Sequence, residues 1–415
     1  MLSLRRDPHG SDRIHQIAAE IMFNGTENPR RIAFSSHNLS ALAGLMLFSF
    51  GLGSVHAFSV FLPAMERDFG TSRMVASLTY SIALASLALG VLTGHRLYSK
   101  LAPATYAAAT SLLAAAGCLL AGFGGSVTVV WIGYGLFFGG ANGLGYGYAL
   151  QLSAQAMPRR KGLAMGAINA AYALGAVVFP VPLAAALDEG GWTAALLVLS
   201  FAIIVFAAGG SILLARSRMF YARSAGRSAS SGDVDRKVIV SFWLAYGCAV
   251  MAGLMVMGQA TGIAWAADAS ERLIVASPAV VAASNMFGCI LCGVMLDKAQ
   301  DRVLLASLAI LTSTALIAMA FLPQSVVTIA GLAAVGFAYG GVISVFPASI
   351  SRNFGVSAGA RIYGRAFTGW AAAGLLGPGL AGWLYDLHGN YRMALVVAAA
   401  IAVLSPAFLP RVGRT

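Results

Sequence analysis

The sequence predicts an all-α membrane protein: twelve transmembrane helices in two pseudo-symmetric six-helix bundles. Three observations carry that prediction. The 415 residues fall into twelve apolar stretches, each near the ~20 residues that a helix needs to cross a ~30 Å hydrocarbon core. Only 10% of the residues are charged, and no Asp or Glu lies inside an apolar stretch; a soluble domain carries about 25% charged residues. Motifs of the first half also recur in the second at a nearly constant offset.

The stretches run over 41–62, 74–93, 103–123, 127–150, 163–186, 193–215, 239–262, 278–296, 303–322, 326–350, 362–385 and 393–410. The 48 glycines are spread through them, and small residues let membrane helices approach closely. Residues 1–40 are polar and mixed in charge, with no apolar core after the first arginines. They read as a cytoplasmic N-terminal tail and not as a cleavable signal. The Ser-, Gly- and Arg-rich segment 216–238 reads as a flexible cytoplasmic linker. It separates a first bundle, 41–215, from a second, 239–410, with a short cytoplasmic tail at 411–415.

A net charge of +12 would suggest nucleic acid in a soluble protein. Here the charges sit in short loops, and no nucleic-acid partner is expected. An even number of crossings puts both termini on one side. Loops on that side hold 22 Lys and Arg, and the opposite loops hold four: Arg67, Arg73, Arg272 and Arg392. The positive-inside bias places both termini in the cytoplasm of a multi-pass cell-membrane protein. The Arg159-Arg160-Lys161 run is part of the same bias.

The repeat is specific in order and position. Gly166, Pro180 and Asp188 recur as Gly364, Pro378 and Asp386, each 198 residues later. Gly90-Val91-Leu92-Thr93-Gly94 recurs as Gly293-Val294-Met295-Leu296-Asp297, 203 residues later. Parallel halves with a site at their interface characterise one large class of secondary transporters.

With those motifs the chain resembles the major facilitator superfamily. Its signature loop, with a glycine, an aspartate and basic residues, matches Gly293, Asp297, Lys298 and Arg302 well. The first copy keeps Gly90 and Arg96 but has Gly94 where the aspartate is expected. The resemblance gives that aspartate a part in latching the inward-closed state, so the first latch is in doubt. More narrowly, Gly139 to Tyr148, Pro158 to Gly166 and Tyr363 to Trp370 followed by Gly377-Pro378 resemble the oxalate/formate antiporter and monocarboxylate transporter branch. That branch commonly binds the substrate carboxylate with a basic residue of the eighth helix, and Cys289 falls there. Oxalate carriers also have a lysine in the eleventh helix, and Trp370 stands in its place. The resemblance therefore implies no dicarboxylate carrier, and a monocarboxylate loses its usual anchor.

Candidate cavity residues are the polar and aromatic side chains within the spans: His56, Tyr80, Asn142, Tyr146, Asn169, Tyr172, Gln259, Asn285, Cys289, Tyr339, Arg365 and Trp370. Such groups turn inward in lipid. Asn142 and Tyr146 are four apart on one helix face, and Asn169 and Tyr172 are three apart. His56 is the one ionisable residue well inside a span, which makes it a functional candidate. It is either a proton or hydrogen-bonding site for the solute, or a neutral histidine bonded to a neighbouring helix. Arg365 either faces the cavity as an anion anchor or snorkels to the interface. Pro180, Pro182, Pro347 and Pro378 interrupt helical hydrogen bonding, and Gly377-Pro378 is the expected gating bend.

No cluster of His, Asp, Glu or Cys has catalytic or metal-ligand spacing, so no enzyme, metal or cofactor is expected. The four cysteines lie in apolar spans, and Cys289-x-x-Cys292 reads as small buried residues. No GxxxxGK[ST] phosphate loop is present, which argues against nucleotide-driven pumping. The sequence therefore reads as a monomeric secondary carrier, in the bilayer, of a small organic solute, either a monocarboxylate or a neutral relative, working by symport with a coupling proton, by exchange or by uniport. Efflux of amphipathic compounds and a transporter-like sensor without flux are the alternatives.

Overall fold

Backbone N–H and C=O groups cannot be left unpaired in hydrocarbon, so a lipid-embedded chain spans as helix or as a closed barrel. This chain uses helices. The computed structural model describes residues 36–222 and 235–410. The expected tail up to residue 35, most of the 216–238 linker and the 411–415 tail lie outside the described residues.

Twelve passes follow one another among the described residues. The first is Ser36–Leu52, loosening into a 3₁₀ segment at Gly53–Phe61 and ending in Leu62–Phe69. The second is Arg73–Gly94 and the third Pro103–Phe123. The fourth runs from Val127 to Ala156 through a π-helical stretch at Trp131–Phe138. The fifth begins at Lys161, and the sixth ends at Ser217; the chain turns between them at Gly191 (φ 70°, ψ −166°). The seventh is Arg236–Met257 with a short extension at Ala260–Ala266, and the eighth is Glu271–Lys298. Asp301–Phe321, Ser325–Phe354, Val356–His388 and Arg392–Leu404 complete the set.

Several passes exceed the expected spans, and the reason is visible at the prolines. The eighth was expected from 278, yet its helix starts at Glu271 and continues through Pro278. Pro278 cannot donate to the Ile274 carbonyl. The Ser277 hydroxyl donates to it instead, at 2.8 Å. The eleventh likewise starts at Val356, ahead of the expected 362, and contains Pro378 without a break.

Helix pairs of the two halves match. The fourth pass packs on the second and the tenth on the eighth. A Cβ at Gly139 would strike Ala83, and one at Gly340 would strike Asn285. The fifth and eighth passes join the halves, as do the second and eleventh. On the first of these seams Gly162 meets Gly293 and Gly166 meets Cys289, backbone against backbone. Gly166→Val should prevent that approach, because overpacking costs about 1–3 kcal/mol. The expected result is a lower unfolding temperature in detergent than for Ala164→Val, measured by scanning fluorimetry.

Candidate functional site

The first pass owes its change of pitch to side chains that capture its carbonyls. Asn142 Nδ2 donates to the Leu52 carbonyl at 2.5 Å, and the Tyr134 hydroxyl donates to the Val55 carbonyl at 3.2 Å. Ser54 bonds back to the Gly51 carbonyl at 2.7 Å, a pattern that bends helices. Gly53 lies against the Tyr172 carbonyl, where any side chain would collide. His56 sits in this segment, half-buried, with Nδ1 hydrogen-bonded to the Tyr80 hydroxyl at 2.6 Å. Its ring also meets Tyr172 edge-on at 5.5 Å.

Beneath His56 lies a satisfied polar network. The Tyr172 hydroxyl donates to Asn142 Oδ1 at 2.8 Å, so both ends of the Asn142 amide are used. The Tyr146 hydroxyl donates to Asn169 Oδ1 at 2.7 Å. Asn169 Nδ2 in turn donates to the Ile343 carbonyl at 3.1 Å and reaches Ser344 Oγ at 3.3 Å, on the tenth pass. Pro347 explains why that carbonyl is free. It stands four residues after Ile343, where its missing N–H would otherwise close the helical bond. A proline in one half thus provides the acceptor for an asparagine of the other. Pro347→Ala restores a competing backbone donor, and the expected outcome is weaker binding of Asn169 across the seam. The measurement is a double-mutant cycle with Asn169→Ala on thermal stability.

On the second-half side Trp370 Nε1 donates to the Tyr339 hydroxyl at 2.8 Å, and its ring stacks on Phe367 at 4.9 Å. Cys289 Sγ reaches Asn285 Oδ1 at 3.5 Å. Asn142, Tyr146, Asn169, Tyr172, Tyr339, Cys289 and Trp370 are all buried. Two candidates stand apart. Gln259 sits where the seventh pass breaks and accepts from the Tyr391 hydroxyl at 3.3 Å. Arg365 is exposed. Burial, opposed by a hydrogen bond to the Leu92 carbonyl, and then Arg96, Arg361 and Arg365 hold His95 below the usual imidazole range. Gly364, next to Arg365, lies against Val91 and Leu92 near the end of the second pass.

The end of the molecule where the sixth pass ends at Ser217 and the seventh begins at Arg236 is drawn together. Asp297 accepts from the Gly162 and Leu163 amides at 2.8 and 3.0 Å, capping the fifth helix. Lys161 Nζ donates to the Ser351 carbonyl at 3.1 Å, and Ser351 Oγ meets Gln151 Oε1 at 3.3 Å. Gly293 forms the close approach beside Asp297, while Lys298, Arg302 and Arg96 are exposed.

The first signature copy has no such task. The fifth helix begins at Lys161, but the eleventh begins at Val356, three residues earlier in the 198-residue register. Its amides at the matching positions lie inside a helix, so no orphan donors face Gly94. Gly90 and Gly94 instead pack on the fourth pass. The two corners also differ in kind. Asp301 accepts from Ser349 at 2.6 Å and from Asn353 at 2.9 Å, and pairs with Arg352 at 3.3 Å. Tyr98, 203 residues before Asp301, packs in a ring cluster with Tyr106, Tyr148 and Tyr221. Surface cavities of about 410 Å³ beside Asp301 and about 390 Å³ beside Arg392 lie away from the central network.

Sequence reasoning missed Ser344, Tyr246, Tyr363 and Phe367. Tyr363, Phe367 and Trp370 fall at i, i+4 and i+7 on one helix face, a legible signal. At the expected bend, a Cβ on Gly377 would lie 3.4 Å from the Met251 carbonyl, and the helix runs on through Pro378.

Comparison with known proteins agrees with this architecture. The rat monocarboxylate transporter 13 is 27% identical over 384 residues, 89% of this chain and 85% of that protein. The uncharacterized MFS-type transporter YhjX of Escherichia coli K12 is 26% identical over 347 residues, 79% of this chain and 84% of its own. The solved fucose-transporter structure FucP, in the outward conformation, has a TM-score of 0.69 at 16% identity, covering 92% of this chain and 100% of that one. The human organic anion transporter MFSD10 reaches 0.71 at 13% identity, with the same coverage. The family model of the Major Facilitator Superfamily matches residues 39–364. With its paired helical halves and that match, the chain is a transporter of the major facilitator superfamily.

Proposed function

We propose that the protein is a secondary carrier of a small organic monocarboxylate, and that this structure is its outward-facing state. The observation that carries the reading is the interior network around His56, which is polar and aromatic and contains no Asp, Glu, Lys or Arg. A carboxylate with one negative charge suits such a site when a proton accompanies it, since burying an uncompensated charge is costly. A dicarboxylate such as oxalate does not, because Cys289 and Trp370 stand where two cations would be needed. The likeness to monocarboxylate transporter 13 supports this class.

The halves at 41–215 and 239–410 rock about the seams of the fifth and eighth and of the second and eleventh passes. Their linker ends, held shut by Asp297 and Lys161, face the cytoplasm by the positive-inside bias. The carrier works as a monomer in the cell membrane. His56 takes the coupling proton with Tyr80 as its partner, and Arg365 snorkels at the cytoplasmic surface.

The test is uptake into proteoliposomes driven by an imposed pH gradient, acid outside. Labelled lactate, pyruvate or formate should accumulate and oxalate should not. Accumulation of oxalate, or of none of the acids, would overturn the assignment. The aromatic lining also suits efflux of amphipathic compounds, which would show as a changed resistance profile in cells carrying the gene.

A further inference from the structure

The two halves close over a second set of donors, below the His56 network toward the linker end. Tyr146 of the fourth pass, Tyr246 of the seventh and Tyr363 of the eleventh are all buried, at 5%, 0% and 1% exposure. The Tyr246 and Tyr363 rings lie 6.2 Å apart. Tyr146 spends its proton on Asn169, but the hydroxyls of Tyr246 and Tyr363 complete no hydrogen bond of ordinary geometry. Such buried, unsatisfied groups are uncommon and call for an explanation. The rings are held firmly. Tyr246 packs on Phe346 at 4.7 Å, and Tyr363 packs on Phe367 at 5.5 Å. Phe367 in turn meets Tyr146 at 5.8 Å across the seam.

A third donor joins this cluster through Tyr146, which bonds Asn169. Asn169 Nδ2 is occupied only by the Ile343 carbonyl that Pro347 frees and by Ser344, both on the opposite half. Parting the linker ends separates these partners and uncovers the hydroxyls as well. The uncovered surface then presents two tyrosine O–H groups and one amide N–H, drawn from both halves, and no cation.

We propose that Tyr246, Tyr363 and Asn169 form a solute subsite open only to the linker side, a cradle of neutral donors for a carboxylate oxygen. It rests on the monocarboxylate reading above. In the closed state the Ile343 carbonyl takes the place of the solute on Asn169, and the two hydroxyls complete no hydrogen bond of ordinary geometry. The solute passes from the His56 network to this cradle as the halves rock, and leaves from it.

The test measures KM from each side of the membrane in oriented proteoliposomes, with labelled lactate or pyruvate. Tyr246→Phe and Tyr363→Phe keep the rings and remove only the donors. Each should raise the linker-side KM about fivefold, the scale of one lost hydrogen bond, and move the far-side KM less than about twofold. Tyr148→Phe removes another unbonded hydroxyl, within the first half alone, and should leave both values unchanged. Equal KM changes on the two sides, or no change in either variant, would overturn the subsite while wild-type transport stands. A wild type that moves neither acid would instead sink the monocarboxylate reading, and the subsite with it.

Discussion

Asp297→Asn should unlock the linker end. The Asp297 carboxylate accepts two backbone amides at the start of the fifth helix. Hydrogen bonds to an ionised acceptor are roughly twice as strong as neutral ones, and a negative charge at a helix N-terminus is favoured by the dipole. Asparagine keeps one acceptor oxygen, loses the charge and turns an amide toward an N–H. A loss of about 1.5–3 kcal/mol is expected for hydrogen bonds to a charged group, a shift of about tenfold or more in the closed-to-open ratio. The effect is large because the first signature copy, with Gly94, supplies no second carboxylate. The measurement is labelling of Ser351→Cys by an impermeant maleimide from the linker side, which should rise about tenfold. Unchanged labelling would mean that the glycine seam alone holds this end shut. Gly94→Asp should not compensate, since the eleventh helix offers no free amides at the matching turn.

The second large effect concerns His56. If its imidazole carries the coupling proton, His56→Ala should flatten the pH dependence of uptake while leaving exchange measurable. The expected change is from about tenfold between acidic and neutral external pH to less than about twofold. Tyr80→Phe is the informative companion. It removes the 2.6 Å partner of Nδ1 but keeps a titratable ring, so the pH dependence should shift in midpoint and not disappear. A His56→Ala protein with full flux and unaltered pH dependence would make the histidine an interhelical strut.

The class of the protein was legible because hydrocarbon leaves the chain few choices: apolar length, missing carboxylates and the repeat at 198 and 203 residues carry it directly. Part of the central network was legible too. The helical spacing of Asn142 with Tyr146, and of Asn169 with Tyr172, put those pairs on shared faces. The pairing itself was not, since Tyr172 bonds Asn142 and Tyr146 bonds Asn169 across neighbouring helices. Two carbonyls that prolines leave free, those of Ile274 and Ile343, receive another donor. Ser277 covers Ile274 from within its own helix, while Asn169 reaches Ile343 from the other half. Gln259 was drawn in by residue type, and its bond to Tyr391 shows that it lies apart; for Arg365 the sequence left cavity and interface both open, and the side chain is exposed. The loss at Gly94 looked like a defect, and it became intelligible from where the eleventh helix starts.

The central claim is that one interior site carries a monocarboxylate by alternating access, and counterflow in proteoliposomes tests it most directly. Vesicles preloaded with unlabelled lactate or pyruvate, diluted into a trace of the same labelled acid, need no pH gradient or coupling ion. The account predicts a transient overshoot of label inside, absent from protein-free vesicles. Failure of every small monocarboxylate to overshoot, with a neutral solute or a larger amphipath succeeding, would contradict it.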